Sequence, residues 1–305
     1  MKIAVFATGE FAVPIIKYLK EKGELVLVFT KTDKPKGRGM KLRPTPVAEI
    51  VGDDIPVVKA DKLNRRLFEE YLSHGVDMAL VIDYGIYIPS YFYGDDAPFM
   101  VNIHPSLLPR WRGPAPIQWT IYSGDTKTGI TFHKVAKEID AGDILYQVEY
   151  SLTGREKATQ LEEILAYKVP HVWDEFLSLY KNGKIEPIPQ GDDYTYAPMF
   201  DKAMFHIDFH KSCDAVDRLV RSLADVPGAY GIFRGKRVKI LYGECQSERA
   251  SEEAGSVVWI DKDKFGIQTG DGVYVPLELK PEGKKVMSVA DFIRGYKPEV
   301  GDIWY

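Results

Sequence analysis

Asn102 and His104 stand two residues apart in the stretch Val101-Asn102-Ile103-His104-Pro105-Ser106. At a strand end, side chains at i and i+2 face the same side. An amide and an imidazole then share one small volume. A neutral imidazole accepts a proton near pH 7. An amide NH₂ donates to the oxygen of a forming tetrahedral centre. A carboxylate orients the imidazole or steadies its charged form, and the turn Lys137-Glu138-Ile139-Asp140-Ala141-Gly142-Asp143 offers two. Spacing does not choose between Asp140 and Asp143. No serine or cysteine has to be the nucleophile, so the attacking group comes from a substrate. An α-amino group, with a pKa of roughly 7.7–8.0, is partly neutral at pH 7 and suits that role. These residues point to acyl or formyl transfer to an amine and do not name the donor.

The elements that must position these groups read as alternating strands and helices. Residues 2–7 form an apolar strand, 11–20 have helical spacing and 25–30 form a second strand. That order predicts a right-handed crossover and a parallel sheet. Residues 57–58, 63–72, 78–82 and 99–103 continue the alternation, so the last strand delivers Asn102 and His104 to the carboxyl end of the sheet. Ligands of open α/β folds bind there. Thr45 is placed as an N-cap before Pro46. Residues 115–122 predict a short helix, 129–133 and 143–150 predict strands, and 159–180 predict a long amphipathic helix. Residues 182–202, rich in Pro, Gly, Asp and Tyr, read as a linker. Beyond it lie a helix at 212–223 and short strands at 230–233, 237–242, 257–260, 265–269 and 272–277, the pattern of a small β-barrel.

The chain has 305 residues, room for two domains, and a net charge of −4. It is not basic all over, but residues 31–43 carry Lys31, Lys34, Lys36, Arg38, Lys41 and Arg43 against one acid, Asp33. Pro35, Gly37 and Gly39 argue against regular structure there, and the clustered charge suits contact with phosphates. The barrel segment clusters Arg234, Lys236, Arg237 and Lys239, then Lys280, Lys284 and Lys285. The turn Ala7-Thr8-Gly9-Glu10-Phe11 lacks G-x-G-x-x-G, which argues against a nicotinamide or flavin cofactor. The two cysteines, Cys213 and Cys245, suggest neither a disulfide framework nor a zinc site. The N-terminus runs straight into a strand and lacks a signal peptide's apolar region, and no apolar run approaches membrane-spanning length. A cytoplasmic chain with no metal and no membrane contact is expected.

The stretch Asn102-Ile103-His104-Pro105-Ser106-Leu107-Leu108-Pro109 resembles the signature of the folate-dependent formyltransferases. Arg110-Trp111-Arg112-Gly113-Pro114-Ala115-Pro116-Ile117-Gln118 narrows the resemblance to the methionyl-tRNA and sugar-amine branches. Asp33-Lys34-Pro35-Lys36-Gly37-Arg38-Gly39-Met40-Lys41-Leu42-Arg43-Pro44-Thr45-Pro46-Val47 resembles the basic inserted loop of the methionyl-tRNA branch. Tyr194-Thr195-Tyr196-Ala197-Pro198 and Pro227-Gly228-Ala229-Tyr230 resemble the start of its C-terminal region. Leu279-Lys280-Pro281-Glu282-Gly283-Lys284-Lys285-Val286-Met287 and Asp291-Phe292-Ile293-Arg294-Gly295 resemble its end. The resemblance covers nearly the whole chain. Three places depart from it: Thr8-Gly9-Glu10 replaces a Gly-Thr-Pro-type turn, Asp83 replaces a small apolar residue, and Ala224-Asp225-Val226 lacks an aromatic.

The resemblance implies an α/β fold, with a Rossmann-like formyltransferase domain over 1–181, a linker over 182–203 and an OB-like barrel over 204–305 that binds tRNA. It implies 10-formyltetrahydrofolate as donor and initiator methionyl-tRNA as acceptor, in translation initiation, and a monomer is expected. It places catalysis on Asn102, His104 and Asp140, choosing Asp140 over Asp143. It maps folate contacts to Ser106, Leu107, Leu108 and Pro109, with Tyr84, Ile86 and Ile88 completing the pterin pocket. It maps tRNA contacts to Lys36, Arg38, Lys41, Arg43 and Arg237. The alternatives are a formyltransferase acting on a nucleotide-linked amino sugar, a formyltetrahydrofolate hydrolase, and a non-catalytic RNA-binding module.

Overall fold

Ile3, Ala4, Val5, Phe6 and Ala7 are all fully buried, and a strand buried on both faces belongs inside a sheet covered by helices. The computed structural model, which describes residues 1–36, 40–246 and 252–305, places this strand, β1 (Ile3–Ala7), in the interior of a seven-stranded sheet. The chain continues through α1 (Val13–Glu21), β2 (Leu25–Thr30), β3 (Lys34–Lys36), β4 (Lys41–Arg43), α2 (Pro46–Val51), β5 (Val57–Lys59), α3 (Arg65–Ser73), β6 (Met78–Ile82), β7 (Phe99–His104), α4 (Pro116–Ser123), β8 (Lys127–Lys134), β9 (Ile144–Ser151) and α5 (Ala158–Lys181). The sheet order is β5-β2-β1-β6-β7-β8-β9. The strands from β5 to β7 pair in parallel, while β8 and β9 are antiparallel additions.

Local sequence sets the helix starts. Thr45 accepts the Ala48 N–H ahead of Pro46, and Asn64 accepts the Leu67 N–H to begin α3. On one side of the sheet Phe6 stacks on Phe29 with centroids 4.5 Å apart, with Tyr71, Tyr84 and Phe92 edge-on to Phe6. Phe176 of α5 stacks on Phe132 of β8 at 4.8 Å, which anchors that helix against the antiparallel part of the sheet.

Within the segment 31–43, residues 34–36 and 41–43 take up regular structure. Lys34, Pro35 and Lys36 pair with Arg43, Leu42 and Lys41 in a two-stranded hairpin. Pro35 is tolerated because a two-stranded ribbon leaves one side of each strand unpaired. Gly37, Arg38 and Gly39 lie outside the described residues.

The described residues group into two compact units. The first is Met1–Pro116 with Lys127–Ser151 and Glu162–Ala197; the second is Ile117–Thr126 with Leu152–Leu161 and Pro198–Tyr305. Residues 182–197 therefore run with the first unit, and Ile188 pairs with Ile144 there. The second unit contains α6 (Cys213–Ser222), β10 (Ala229–Phe233), β11 (Lys236–Gln246), β12 (Val257–Ile260), β13 (Phe265–Gln268), β14 (Val273–Pro281), β15 (Met287–Ser288) and α7 (Val289–Tyr296). Its strands form an antiparallel sheet in the order β10-β11-β14-β13-β12. Residues at the C-terminus bridge both edges: Trp304 pairs with Phe233 of β10, and Ile303 with Ser256 just before β12. That closes the exposed sheet edges. Trp304, Phe233, Phe265 and Phe292 fill the core.

One expectation about the cysteines is corrected. Cys213 at the start of α6 and Cys245 in β11 form a disulfide, with Cα atoms 5.8 Å apart, inside the usual range. Nothing in their separation of 32 residues announces that the helix start lies beside that strand.

Candidate active site

The site is built where β7 ends. Asn102 lies opposite His133 of β8, and His104 opposite Thr131. Asp140 comes from the loop between β8 and β9, with φ of 51°. Its Oδ1 accepts a hydrogen bond from Asn102 Nδ2 at 2.9 Å, and its Oδ2 accepts one from the Gly113 N–H at 2.8 Å. His104 Nδ1 stands 3.6 Å from Oδ2, an ion-pair separation rather than a hydrogen bond. The three side chains that the resemblance groups together therefore meet. Asp143 does not join them; it pairs with Lys134 at 3.1 Å.

Protonation follows from the partners. His104 Nε2 lies 2.8 Å from the Trp111 carbonyl, which only accepts, so Nε2 carries the hydrogen. In the neutral ring Nδ1 is then a lone pair turned toward Asp140. His104 is 5 % exposed, and burial holds its pKa below the ordinary histidine value, with His133 adding to the depression against the pull of Asp140. Burial alone would raise the Asp140 carboxyl. The facing His104 and His133, with the Gly113 N–H, hold it well below the usual carboxylate range, so it is ionised. His133 Nδ1 lies 2.9 Å from the Lys134 carbonyl and therefore carries its hydrogen, leaving Nε2 to accept from Asn102 Nδ2 at 2.9 Å.

This changes the reading of Asn102. Both hydrogens of its NH₂ are engaged, by Asp140 and by His133. Donation to an oxyanion requires one of these bonds to be exchanged when substrates bind. The bond to His133 is the one to exchange, because the bond to the ionised Asp140 carboxylate is charge-assisted and such bonds are roughly twice as strong as neutral ones.

Three residues that sequence reasoning missed hold this arrangement. One is His133. The second is Gln190, whose Nε2 donates to the carbonyls of Asp140 (2.9 Å) and Gly142 (2.7 Å) and whose Oε1 accepts from Arg112 Nε (2.9 Å). The third is Thr195, whose hydroxyl accepts the Trp111 N–H at 2.8 Å. Gly142 is required because a Cβ there would sit 1.9 Å from the Lys134 carbonyl oxygen. Gly113 is required twice over: its φ is 114°, and a Cβ would meet the Tyr196 ring at 2.7 Å.

The residues expected to contact folate divide into two groups. Ser106 is fully buried and its hydroxyl donates to the Arg110 carbonyl at 2.7 Å. Leu108 is buried; its N–H donates to Thr131 Oγ1 and its carbonyl accepts from Gln147 Nε2. These two hold the loop. Leu107 and Pro109 are half-buried, as are Ile86 and Ile88, and present apolar surface. Tyr84 is buried in the Phe6 aromatic cluster, and its hydroxyl has no hydrogen-bond partner among the described residues. Of the residues expected to meet tRNA, Lys41 and Arg43 are exposed on β4, beside exposed Met40 and Leu42. Lys36 lies on β3, and Arg38 lies outside the described residues. Arg237 on β11 is exposed, with its guanidinium 4.2 Å over the Tyr230 ring. Among the described residues no group of three or more metal-ligating side chains assembles, and no helix is long and apolar enough to cross a membrane.

An amide, an imidazole and an ionised carboxylate gathered at the carboxyl end of an α/β sheet suit carbonyl chemistry. Comparison with known proteins takes this further. Residues 1–172 match the formyl transferase family and residues 199–297 match the formyl transferase C-terminal domain. A methionyl-tRNA formyltransferase from Coprothermobacter proteolyticus is 37% identical over 302 residues, covering 99% of both chains. Two solved structures share the fold. The N-formyltransferase from Helicobacter canadensis has a TM-score of 0.67 at 16% identity, over 90% of this chain and 98% of its own. The methionyl-tRNA formyltransferase from Clostridium thermocellum has a TM-score of 0.57 at 18% identity, over 82% and 95%. The chain belongs to the formyl transferase family and, within it, to the methionyl-tRNA formyltransferases.

Proposed function

We propose that the chain transfers the formyl group of 10-formyltetrahydrofolate to the α-amino group of initiator methionyl-tRNA, as a cytoplasmic monomer. The observation that carries the chemistry is the Asp140 carboxylate bonded to Asn102 and Gly113 with the buried His104 beside it. The donor, when bound, supplies an activated one-carbon acyl group. The half-buried apolar margin of Ile86, Ile88, Leu107 and Pro109 suits a flat ring system. His104 Nδ1 takes the proton released as the amine nitrogen bonds to the formyl carbon. Ionised Asp140 steadies the imidazolium that results, and the same proton is available to the leaving nitrogen of the donor as its bond to carbon breaks. Asn102 donates to the carbonyl oxygen once its bond to His133 is exchanged.

The acceptor reading is supported by two basic surfaces on a chain of net charge −4. One is the hairpin of β3 and β4. The other is a cavity of about 260 Å³ in the second unit, lined by Arg237, Lys239, Lys280, Pro281, Glu282 and Gly283. Lys239 and Lys280 lie directly opposite each other on β11 and β14, and like charges so placed repel. Burial, with Lys280 and Arg237 nearby, lowers the Lys239 pKa. A backbone phosphate would relieve that repulsion. We assign residues 204–305 the tRNA-binding part of the work.

The test is transfer of labelled formyl from 10-formyltetrahydrofolate to methionylated initiator tRNA, methionylated elongator tRNA and an amino-sugar nucleotide. Label on the initiator alone is expected. Label on the sugar alone overturns the acceptor, and loss of formyl to water without any acceptor points to a hydrolase.

A further inference from the structure

Residues 194–197 run beside the loop that frames Asp140, with an isolated parallel bridge between Tyr196 and Arg112. The Arg112 N–H donates to the Thr195 carbonyl at 2.9 Å, the Ala197 N–H to the Arg112 carbonyl at 2.7 Å, and the Ala115 N–H to the Ala197 carbonyl at 3.0 Å. Tyr194 and Tyr196 are two apart in this segment, and both rings lie against the Arg112–Gly113 step. The Arg112 guanidinium sits 4.3 Å over the Tyr194 ring, and the Tyr196 ring covers the α-carbon of Gly113. Gly113 is the residue whose N–H holds Asp140 Oδ2. The two residues are 52% and 49% exposed, so part of each stays open beside the Gly113 that holds Asp140.

Arg112 is the second observation. It is buried, its Nε and Nη2 donate to Gln190 and to the Gly191 carbonyl, and no carboxylate lies within ion-pair distance among the described residues. A buried guanidinium without a counter-charge is costly. The aromatic face of Tyr194 offsets part of that cost, and an incoming anionic group would offset the rest.

We infer that Tyr196, with the stacked Tyr194–Arg112 pair, is the subsite for the terminal nucleoside of the aminoacylated acceptor. The base would stack on Tyr196 and the adjoining phosphate would face the Arg112 charge. The inference rests on the acceptor reading above. In an aminoacylated RNA the reactive amine is joined through the amino acid to the ribose of the last nucleoside. If the amine reaches His104, that nucleoside lies within a few bonds of Asp140, where the open rings are. Base–aromatic stacking contributes about 1–3 kcal/mol per base, which corresponds to a factor of roughly 5–150 in affinity.

The experiment compares wild type, Tyr196→Ala and Tyr196→Phe by steady-state kinetics with methionyl-tRNA and 10-formyltetrahydrofolate, and by inhibition with adenosine monophosphate. In Tyr196→Ala, the KM for methionyl-tRNA and the inhibition constant of the nucleotide are expected to rise together by roughly 10–100-fold. The KM for the donor should stay within about twofold, and Tyr196→Phe, which keeps the ring, should behave as wild type. Three outcomes overturn the inference: no competitive inhibition of wild type by the nucleotide, a shifted donor KM instead of a shifted acceptor KM, or a fall in kcat alone. The last would make Tyr196 a prop for Gly113. A wild-type enzyme that formylates an amino-sugar nucleotide and no aminoacylated RNA signals failure of the underlying reading instead.

Discussion

His104 and Asp140 set a pH window whose direction can be worked out. In the proposed reaction the base form of His104 is the working form, and burial keeps its pKa below the ordinary histidine value of 6.5. The acid limb of the single-turnover rate is therefore expected below 6.5, with activity present above it and lost as pH falls through the depressed pKa. Asp140 pulls that pKa upward, so Asp140→Asn should move the limb to still lower pH while reducing the plateau rate. A limb that moves up would remove Asp140 as the charge facing His104. His104→Ala is expected to lower kcat by about 10²–10⁴-fold with folate binding intact; an unchanged kcat would take His104 out of the mechanism. At this scale much was legible. Asn102 and His104 announce themselves by type and spacing on a readable strand. The choice of Asp140 over Asp143 came from resemblance, because a turn with two aspartates leaves the backbone direction open. His133 was not legible: its role depends on the register of β7 against β8, and no local pattern encodes an antiparallel register between strands joined by more than twenty residues.

Elements turn these residues into a site, and two deserve tests of different kinds. The loop carrying Asp140 approaches β8 so closely that Gly142→Ala must displace the Lys134 carbonyl or the loop. A drop in kcat with an unchanged circular dichroism spectrum and donor affinity is expected, because Asp140 moves while the sheet does not. The hairpin of β3 and β4 presents Lys41 and Arg43 with exposed Met40 and Leu42 at 70% and 69%. Lys41→Ala with Arg43→Ala should raise the KM for tRNA and reduce the slope of log affinity against log salt by up to about 2. A change confined to the donor would reassign the hairpin. The alternation of strand and helix through residue 104 was readable because the parallel strands are largely apolar and Thr45 marks a helix start as a cap. The hairpin was not, because Pro35 and two glycines argue locally for a loop while pairing at a distance decides otherwise. The Gln190 and Thr195 supports lay in a stretch that composition marks as a linker, and only the tertiary hydrogen bonds reveal their use.

On the scale of the whole molecule, two families of contact are expected to act on one RNA. A net charge of −4 means that tRNA is not held by a general field, so affinity must come from local cations. The hairpin belongs to the first unit, and the cavity of Arg237, Lys239 and Lys280 to the second. Composition marked a linker at 182–202 but not that residues 117–126 and 152–161 group with the second unit, nor the charge-lined cavity, which arises because β11 and β14 pair with Lys239 opposite Lys280. If both surfaces grip the same tRNA, removing either costs affinity on its own, and the second surface acts at an effective concentration set by the first. Lys239→Ala with Lys280→Ala is expected to raise the KM for full-length initiator tRNA, and to raise it again by a similar factor when combined with the hairpin substitutions. With a methionylated acceptor-stem minihelix, one of the two sets should lose its effect while the other keeps it. Independent loss on tRNA with selective loss on the minihelix assigns the two surfaces to different parts of one ligand. Equal sensitivity of tRNA and minihelix to both sets would mean that they share a single short stretch of RNA. No effect of the Lys239 and Lys280 changes on either acceptor would leave the basic cavity outside tRNA binding and confine recognition to the catalytic unit.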